Sequence, residues 1–151
     1  MKKLITLILL SFSILSYADE NKIDSLVSVQ SQHSAKQTAD KLASIIEDKG
    51  LTLFARIDHQ KNAASVKLAL RETEVIIFGN PVIGTPLMQC NQLFAIDLPQ
   101  KILIWEDADK KVWLTYNNPE FLKQRYQLEG CDKIITKVSA VLHALTSAAA
   151  K

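Results

Sequence analysis

Lys101-Ile102-Leu103-Ile104-Trp105-Glu106 and Lys111-Val112-Trp113-Leu114-Thr115-Tyr116, joined by Asp107-Ala108-Asp109-Lys110, read as two strands and a turn. Both arms are rich in β-branched and aromatic residues, and the segment between them is short and polar. A hairpin commits its strands to antiparallel pairing, whereas a parallel pair needs a long crossover. The segments on either side decide whether the rest of the chain extends this pair or alternates strand with helix.

Downstream, Asn117 and Asn118 lead into Pro119, a favoured first residue of a helix, which predicts a helix over 119–126. A final helix is predicted from Asp132 to Ala149, with Ile134, Ile135, Val138, Val141, Leu142 and Leu145 on its buried face. Upstream, Asp97-Leu98-Pro99 is a punctuation mark. Before it, Pro81 to Asn91 contains Gly84-Thr85-Pro86-Leu87-Met88 and predicts a turn followed by a short helical piece. Glu74 to Phe78 holds the β-branched run Val75-Ile76-Ile77 and predicts a buried strand that ends at the breaker Gly79-Asn80-Pro81. Residues 61–69 are Ala-rich and predict a short helix, and Leu51 to Asp58 alternates with period two, a strand. Ser34 and Gln37 form a capping-box pair ahead of Ala35, Ala39, Leu42, Ala43 and Ile46 at helical spacing, and Gly50 supplies the stop, which predicts a helix over 35–49. Ser25 to Gln32 reads as a half-buried strand.

Strand, helix, several strands, helix is an α+β order. The economical arrangement is an antiparallel sheet with two long helices packed on one face. The other face is then solvated, a dimer surface or part of a ligand site. Neither an internal repeat nor a linker divides residues 19–151, so a single domain is expected.

Several stretches in register resemble the domain-of-unknown-function 302 family. They are Gly50-Leu51-Thr52-Leu53-Phe54-Ala55-Arg56-Ile57-Asp58-His59, Val75-Ile76-Ile77-Phe78-Gly79-Asn80-Pro81, Gly84-Thr85-Pro86-Leu87-Met88, Asp97-Leu98-Pro99, Ile104-Trp105-Glu106-Asp107, Val112-Trp113 and Tyr116-Asn117. The resemblance covers roughly residues 26–145. It implies a TATA-binding-protein-like β-α-β4-α fold, often dimeric, and no established activity. Two positions depart from the pattern: Glu72 stands where a proline is usual, and Cys90 where a small residue is. Fold likeness to TATA-binding proteins does not carry their function.

Residues 1–18 have the pattern of a cleavable secretory signal peptide: Lys2-Lys3, an apolar run from Leu4 to Leu15, and small residues at Ser16 and Ala18 before a cut at Asp19. The run is about twelve residues, short of the ~20 a spanning helix needs. The expectation is a periplasmic protein with no membrane association after cleavage. The chain carries 18 basic and 16 acidic residues, and loss of Lys2 and Lys3 leaves 16 of each. A neutral chain speaks against nucleic acid as a partner. The two cysteines, Cys90 and Cys131, both lie beyond the signal and are expected to pair as a disulfide in an oxidising compartment; two separate buried thiols are the alternative.

The sequence specifies no reaction and no cofactor. A Gly-x-Ser-x-Gly elbow, a His-Glu-x-x-His pair and a phosphate loop are all missing from it. His59 follows Asp58 at a strand end, where a carboxylate sets the tautomer of an imidazole, which suits a general base or a ligand. Glu106, Asp107 and Asp109 cluster on the hairpin without an EF-hand pattern and read as a solvated turn. Three functions are weighed. The first is a non-catalytic ligand-binding or protein-interaction module, a homodimer that takes a small molecule. The second is a soft-metal- or haem-associated protein using His59 and Met88, with Cys90 if it is a free thiolate. The third is a small hydrolase or isomerase using Asp58 and His59. Because strand ends display polar groups, His59, Asn80, Met88 and Tyr116 are expected to converge on one concavity.

Overall fold

The computed structural model describes residues 24–151. The expected signal segment, residues 1–18, and the cut before Asp19 lie outside the described residues. Five strands, β1 (Leu26–Gln30), β2 (Thr52–Asp58), β3 (Thr73–Gly79), β4 (Gln100–Glu106) and β5 (Val112–Asn117), form one sheet in the order β1-β5-β4-β3-β2. Every neighbouring pair is antiparallel. Helix α1 (Ala35–Asp48) joins β1 at one edge to β2 at the other. The remaining helices are α2 (His59–Ser65), α3 (Pro81–Cys90), α4 (Pro119–Arg125) and α5 (Asp132–Ala149), with a 3-10 helix at Gln92–Asp97. The α+β class and the antiparallel sheet expected from the sequence are both present, and the element order is compatible with the β-α-β4-α framework.

Local chemistry places the ends of α1. Ser34 Oγ accepts from the Gln37 amide while Gln37 Oε1 accepts from the Ser34 amide, both at 3.3 Å. Gly50 follows the helix at φ +67°, a conformation that costs glycine little. One face of α1 buries Ala39, Leu42 and Ile46, and one face of α5 buries Ile135, Val138, Leu142 and Leu145. These meet Ile76, Phe78, Ile102, Ile104, Leu114 and Tyr116 of the sheet in a single apolar cluster. Each such aliphatic or aromatic side chain contributes about 1.5–3 kcal/mol on burial.

Among the described residues neither α1 nor α5 packs on the opposite face, where Ala69, Leu70 and Arg71 border a cavity of about 520 Å³ with Thr73, Leu103 and Trp105. Ile57, Val75, Ile77, Leu103, Trp105 and Trp113 point to it and are half-buried. Trp105 and Trp113 are direct cross-strand partners. The Trp105 indole donates to Thr115 Oγ1 at 2.9 Å, and that hydroxyl lies 2.8 Å from Ser28 Oγ. The Trp113 indole donates to Asp107 Oδ2 at 2.8 Å.

Two elements differ from expectation. The short helix placed at 61–69 runs instead from His59 to Ser65, because the Asp58 carboxylate accepts from the Lys61 amide at 2.8 Å and caps it two residues earlier. The segment after β3 is helical from Pro81 onward rather than a turn followed by a helical piece. Asn80 caps it and Pro81, at the first helical position, gives up an amide that has no intrahelical partner. Cys90 and Cys131 form a disulfide with Cα atoms 6.6 Å apart, which ties the end of α3 to the start of α5.

Candidate functional site: an apolar pocket at one end of the sheet

Successive antiparallel strands finish at opposite ends of a sheet. The end at which β3 stops brings together Gly79 opposite Thr52, where β2 starts, and Phe78 opposite Gln100, where β4 starts. The pairing of β2 with β3 shifts between Leu53 and Ala55, so Phe54 is the extra residue of a bulge and its ring stands out of the ladder, 54% exposed. Phe54, the turn Gly79-Asn80-Pro81, one side of α3 and Leu98-Pro99-Gln100 enclose a pocket of about 220 Å³. Leu87 is the buried floor, Ile83, Gly84, Met88 and Leu98 are half-buried walls, and Phe54, Pro81, Thr85 and Pro99 form the exposed rim. A Cβ on Gly79 would stand 3.3 Å from Cε2 of Phe54, so glycine lets the ring lie close over the turn. A second cavity of about 60 Å³ reaches toward Val138, Val141 and Leu142 of α5, and Gly79, Asn80, Ile83 and Gln100 line both.

Every side chain lining the 220 Å³ pocket is uncharged. The start of α3 adds no free amide. Pro81 has none, the Val82 amide donates to Asn80 Oδ1, and the Ile83 and Gly84 amides donate to the Asn80 carbonyl, each at 2.9 Å. The Asn80 Nδ2 group and the Gln100 side-chain amide make no hydrogen bond among the described residues.

Of the four residues expected to converge, Asn80 and Met88 line this pocket and His59 and Tyr116 do not. His59 follows Asp58, which pairs with Glu74 at the far end of β3, so it sits at the opposite end of the sheet. The expectation treated all strand ends as neighbours, and antiparallel pairing separates consecutive ones. Tyr116 is near the correct end, but its phase on β5 turns it onto the helix-covered face. There burial raises its hydroxyl pKa and a hydrogen bond with Thr146 offsets part of that.

No carboxylate–imidazole pair forms, since Asp58 caps α2 and His59 is exposed. Met88 stands in an apolar wall, Cys90 is in the disulfide, and among the described residues no group of three His, Cys, Asp or Glu gathers to hold a metal. Asp107 spends its carboxylate on the hairpin, accepting from the Asp109 and Lys111 amides and the Trp113 indole. Those donors, the indole first, hold its pKa below the ordinary value. At the far end, Arg56 joins Glu74 at 2.5 Å and Asp40 at 2.8 Å, and these partners, Glu74 first, raise its pKa further. Sequence reasoning missed Phe54, Leu98, Pro99 and Gln100. Phe54 carried a signal, a large aromatic out of phase with Leu53, Ala55 and Ile57.

The family described as Domain of unknown function DUF302 matches residues 27–145. The chain belongs to that family. A DUF302 crystal structure from Bacillus stearothermophilus, an uncharacterized conserved protein, superposes with a TM-score of 0.74 at 14% identity, covering 82% of this chain and 97% of that one, which shows a shared fold. This DUF302 chain is also 47% identical over 107 residues to a protein named fluoride-specific ion channel FluC 1 from Brucella suis biovar 1 (strain 1330), a match covering 70% of this chain. The same identity and span relate it to a protein of that name from Brucella abortus biovar 1 (strain 9-941). The chain spans 42% and 40% of the length of these relatives.

Proposed function

We propose that this DUF302 chain is a non-catalytic binding module of the periplasm, and that its binding element is the pocket between the end of β3 and α3. The observation that carries this reading is the 220 Å³ concavity, whose surface is almost wholly apolar and whose lining carries no charge. Concave, mostly apolar sites are the usual form of small-molecule sites. The disulfide supports an oxidising compartment. Benzene is a suitable first probe, because apolar cavities accept it without specific contacts. Methyl NMR of the full chain is expected to show benzene-dependent shifts confined to Ile83, Leu87, Met88 and Leu98. Shifts scattered over the surface, or none, would overturn the pocket reading. Export is tested by N-terminal sequencing of the mature protein, which is expected to begin at Asp19.

A homodimer through the sheet face away from α1 and α5 belongs to the same proposal. Lys101 is the one charged residue among the strand positions of that face, and its ammonium donates to the Asp97 and Pro99 carbonyls. Two copies meeting there would bury the half-exposed Ile77, Leu103, Trp105 and Trp113 on each side. A second reading comes from the relatives named as fluoride channels: the chain acts beside a membrane protein to which a similar segment is joined in those organisms. Among the described residues no helix is long and apolar enough to cross a membrane, which supports a module outside the bilayer. Co-purification with a separately expressed channel from the same cell tests this, and a channel recovered equally with and without the module refutes it.

A further inference from the structure

Where β3 begins and β4 ends, the cleft of about 520 Å³ lies on the sheet face away from α1 and α5. We propose that this cleft is a second binding site, separate from the pocket at the end of β3, and that it takes a small planar aromatic carboxylate. The ring lies against Trp105, Leu103 and Leu70, and the carboxylate meets Arg71. The volume falls within the ~300–1,000 Å³ usual for small-molecule sites.

The lining leaves one polar group unspent, and that group sets the ligand's charge. Thr73 pairs with Trp105 and Val75 with Leu103, so alternation puts Thr73, Leu103 and Trp105 on one face. The Trp105 indole N–H donates to Thr115 Oγ1 at 2.9 Å, which leaves the ring's apolar surface for contact. The Thr73 hydroxyl donates to the Arg71 carbonyl at 2.9 Å. Glu106 pairs with buried Val112, so its side chain takes the helix-covered phase, and what it offers Arg71 is its carbonyl. Arg71 Nε donates to that carbonyl at 3.0 Å, while Nη1 and Nη2 have no partner among the described residues. The bond at Nε ties the guanidinium to the end of β4. It leaves the two Nη groups, whose N–H bonds run side by side, for a two-pronged contact with a carboxylate. Arg71 is the one cation lining the cleft. An ammonium ion finds no carboxylate on that face of the cleft and would lose hydration without replacement. The apolar part of the lining sets the body. Leu103 and Trp105 stand side by side at alternate positions of β4, with Leu70 at the wall, and an aromatic ring gains contact with an indole beyond the area it covers.

The test compares cinnamate, cinnamamide and cinnamylammonium, which share a planar frame and differ in head charge. Each is titrated at pH 7 onto the full disulfide-bonded chain and followed by the Trp105 indole N–H and the Leu70 and Leu103 methyl signals. Cinnamate is expected to shift these signals and to bind roughly tenfold more tightly than either analogue. Arg71→Gln, at an exposed position, is expected to bring cinnamate down to the affinity of cinnamamide, with cinnamamide binding and the circular dichroism spectrum unchanged. Trp105→Leu is expected to weaken both ligands roughly threefold. Equal affinities of cinnamate and cinnamamide on the parent chain would overturn the ligand class. Shifts at Ile83, Leu87 and Leu98 instead would put the ring in the other pocket and overturn the site, as would no binding at all. Leu103 and Trp105 also belong to the face proposed for the homodimer, so ligand and second copy are alternatives there. Where the dimer forms, saturating cinnamate is expected to lower the sedimented mass toward the monomer. A dimer of full mass with cinnamate bound would overturn the placement on this face.

Discussion

Gly84 sits in the first half of α3 with its hydrogen facing Leu98, and a Cβ there would lie 3.6 Å from Leu98 Cδ1, an ordinary contact. Glycine inside a helix costs about 0.5–1 kcal/mol relative to alanine. Gly84→Ala is therefore expected to raise the melting temperature by a few degrees while weakening benzene binding, because the methyl group enters the pocket. Calorimetry and NMR titration of one sample read both effects. Asp107 gives a pH-dependent counterpart. Its pKa is depressed in the folded chain by the Trp113 indole and the Lys111 and Asp109 amides. The stability it contributes is thus present above the unfolded carboxyl pKa, near 3.9, and is lost as pH falls through the lower folded value. Asp107→Ala is expected to melt below the parent at pH 6, with the gap closing below about pH 4. A gap independent of pH would show that the carboxylate's charge is not what holds the turn. Local chemistry of this kind was legible in part: Ser34 with Gln37 and the stop at Gly50 depend only on near neighbours. Phe54 was legible only as an aromatic out of phase with its strand, because the bulge that sets its ring at the pocket is a property of two paired strands.

The elements differ in how they are held. α1 and α5 bury full faces in the core, whereas α3 buries Leu87 alone and contains Pro86, which has no amide to donate. The Cys90–Cys131 link ties the C-terminal end of α3 to α5, the opposite end from the Asn80 cap. Chain entropy predicts about 4 kcal/mol for closing a loop of this length. Reduction is expected to lower the urea midpoint and to weaken benzene binding at urea concentrations where the α1–α5 core still gives a native circular dichroism spectrum. Loss of binding and of structure at one common midpoint would show that α3 does not loosen first. The sequence announced α3 only partly, since Gly84 and Pro86 are breakers by composition and the cap at Asn80 outweighs them. It announced the β4–β5 hairpin fully, because turn and alternation lie within sixteen residues. The end of the sheet to which each strand delivers its last residue depends on pairing order, and that is why Asn80 and Met88 meet at one pocket while His59 lies at the other end.

The described residues present one sheet face covered by α1 and α5 and one on which neither helix packs. If the second face is shared between two copies, sedimentation is expected to give twice the monomer mass, and Leu103→Lys, at the middle of that face, is expected to give a monomer of unchanged circular dichroism. A parent that stays monomeric at high concentration would end the dimer proposal. The placement of β1 has a separate consequence. Ser28 bonds Thr115, 87 residues away, so among the described residues the first strand of the sheet pairs with the last. Closing so long a loop is slow compared with forming the β3–β4 and β4–β5 pairs. β1 should therefore join after the folding barrier is crossed, and Val29→Ala is expected to speed unfolding while leaving the refolding rate nearly unchanged in stopped-flow chevrons. During synthesis, β1 emerges ahead of the other strands of the sheet and waits, its backbone unpaired, until β5 has followed. For that interval the protein carries an open template for strand addition, and a holding chaperone with an extended-peptide groove would meet its client there.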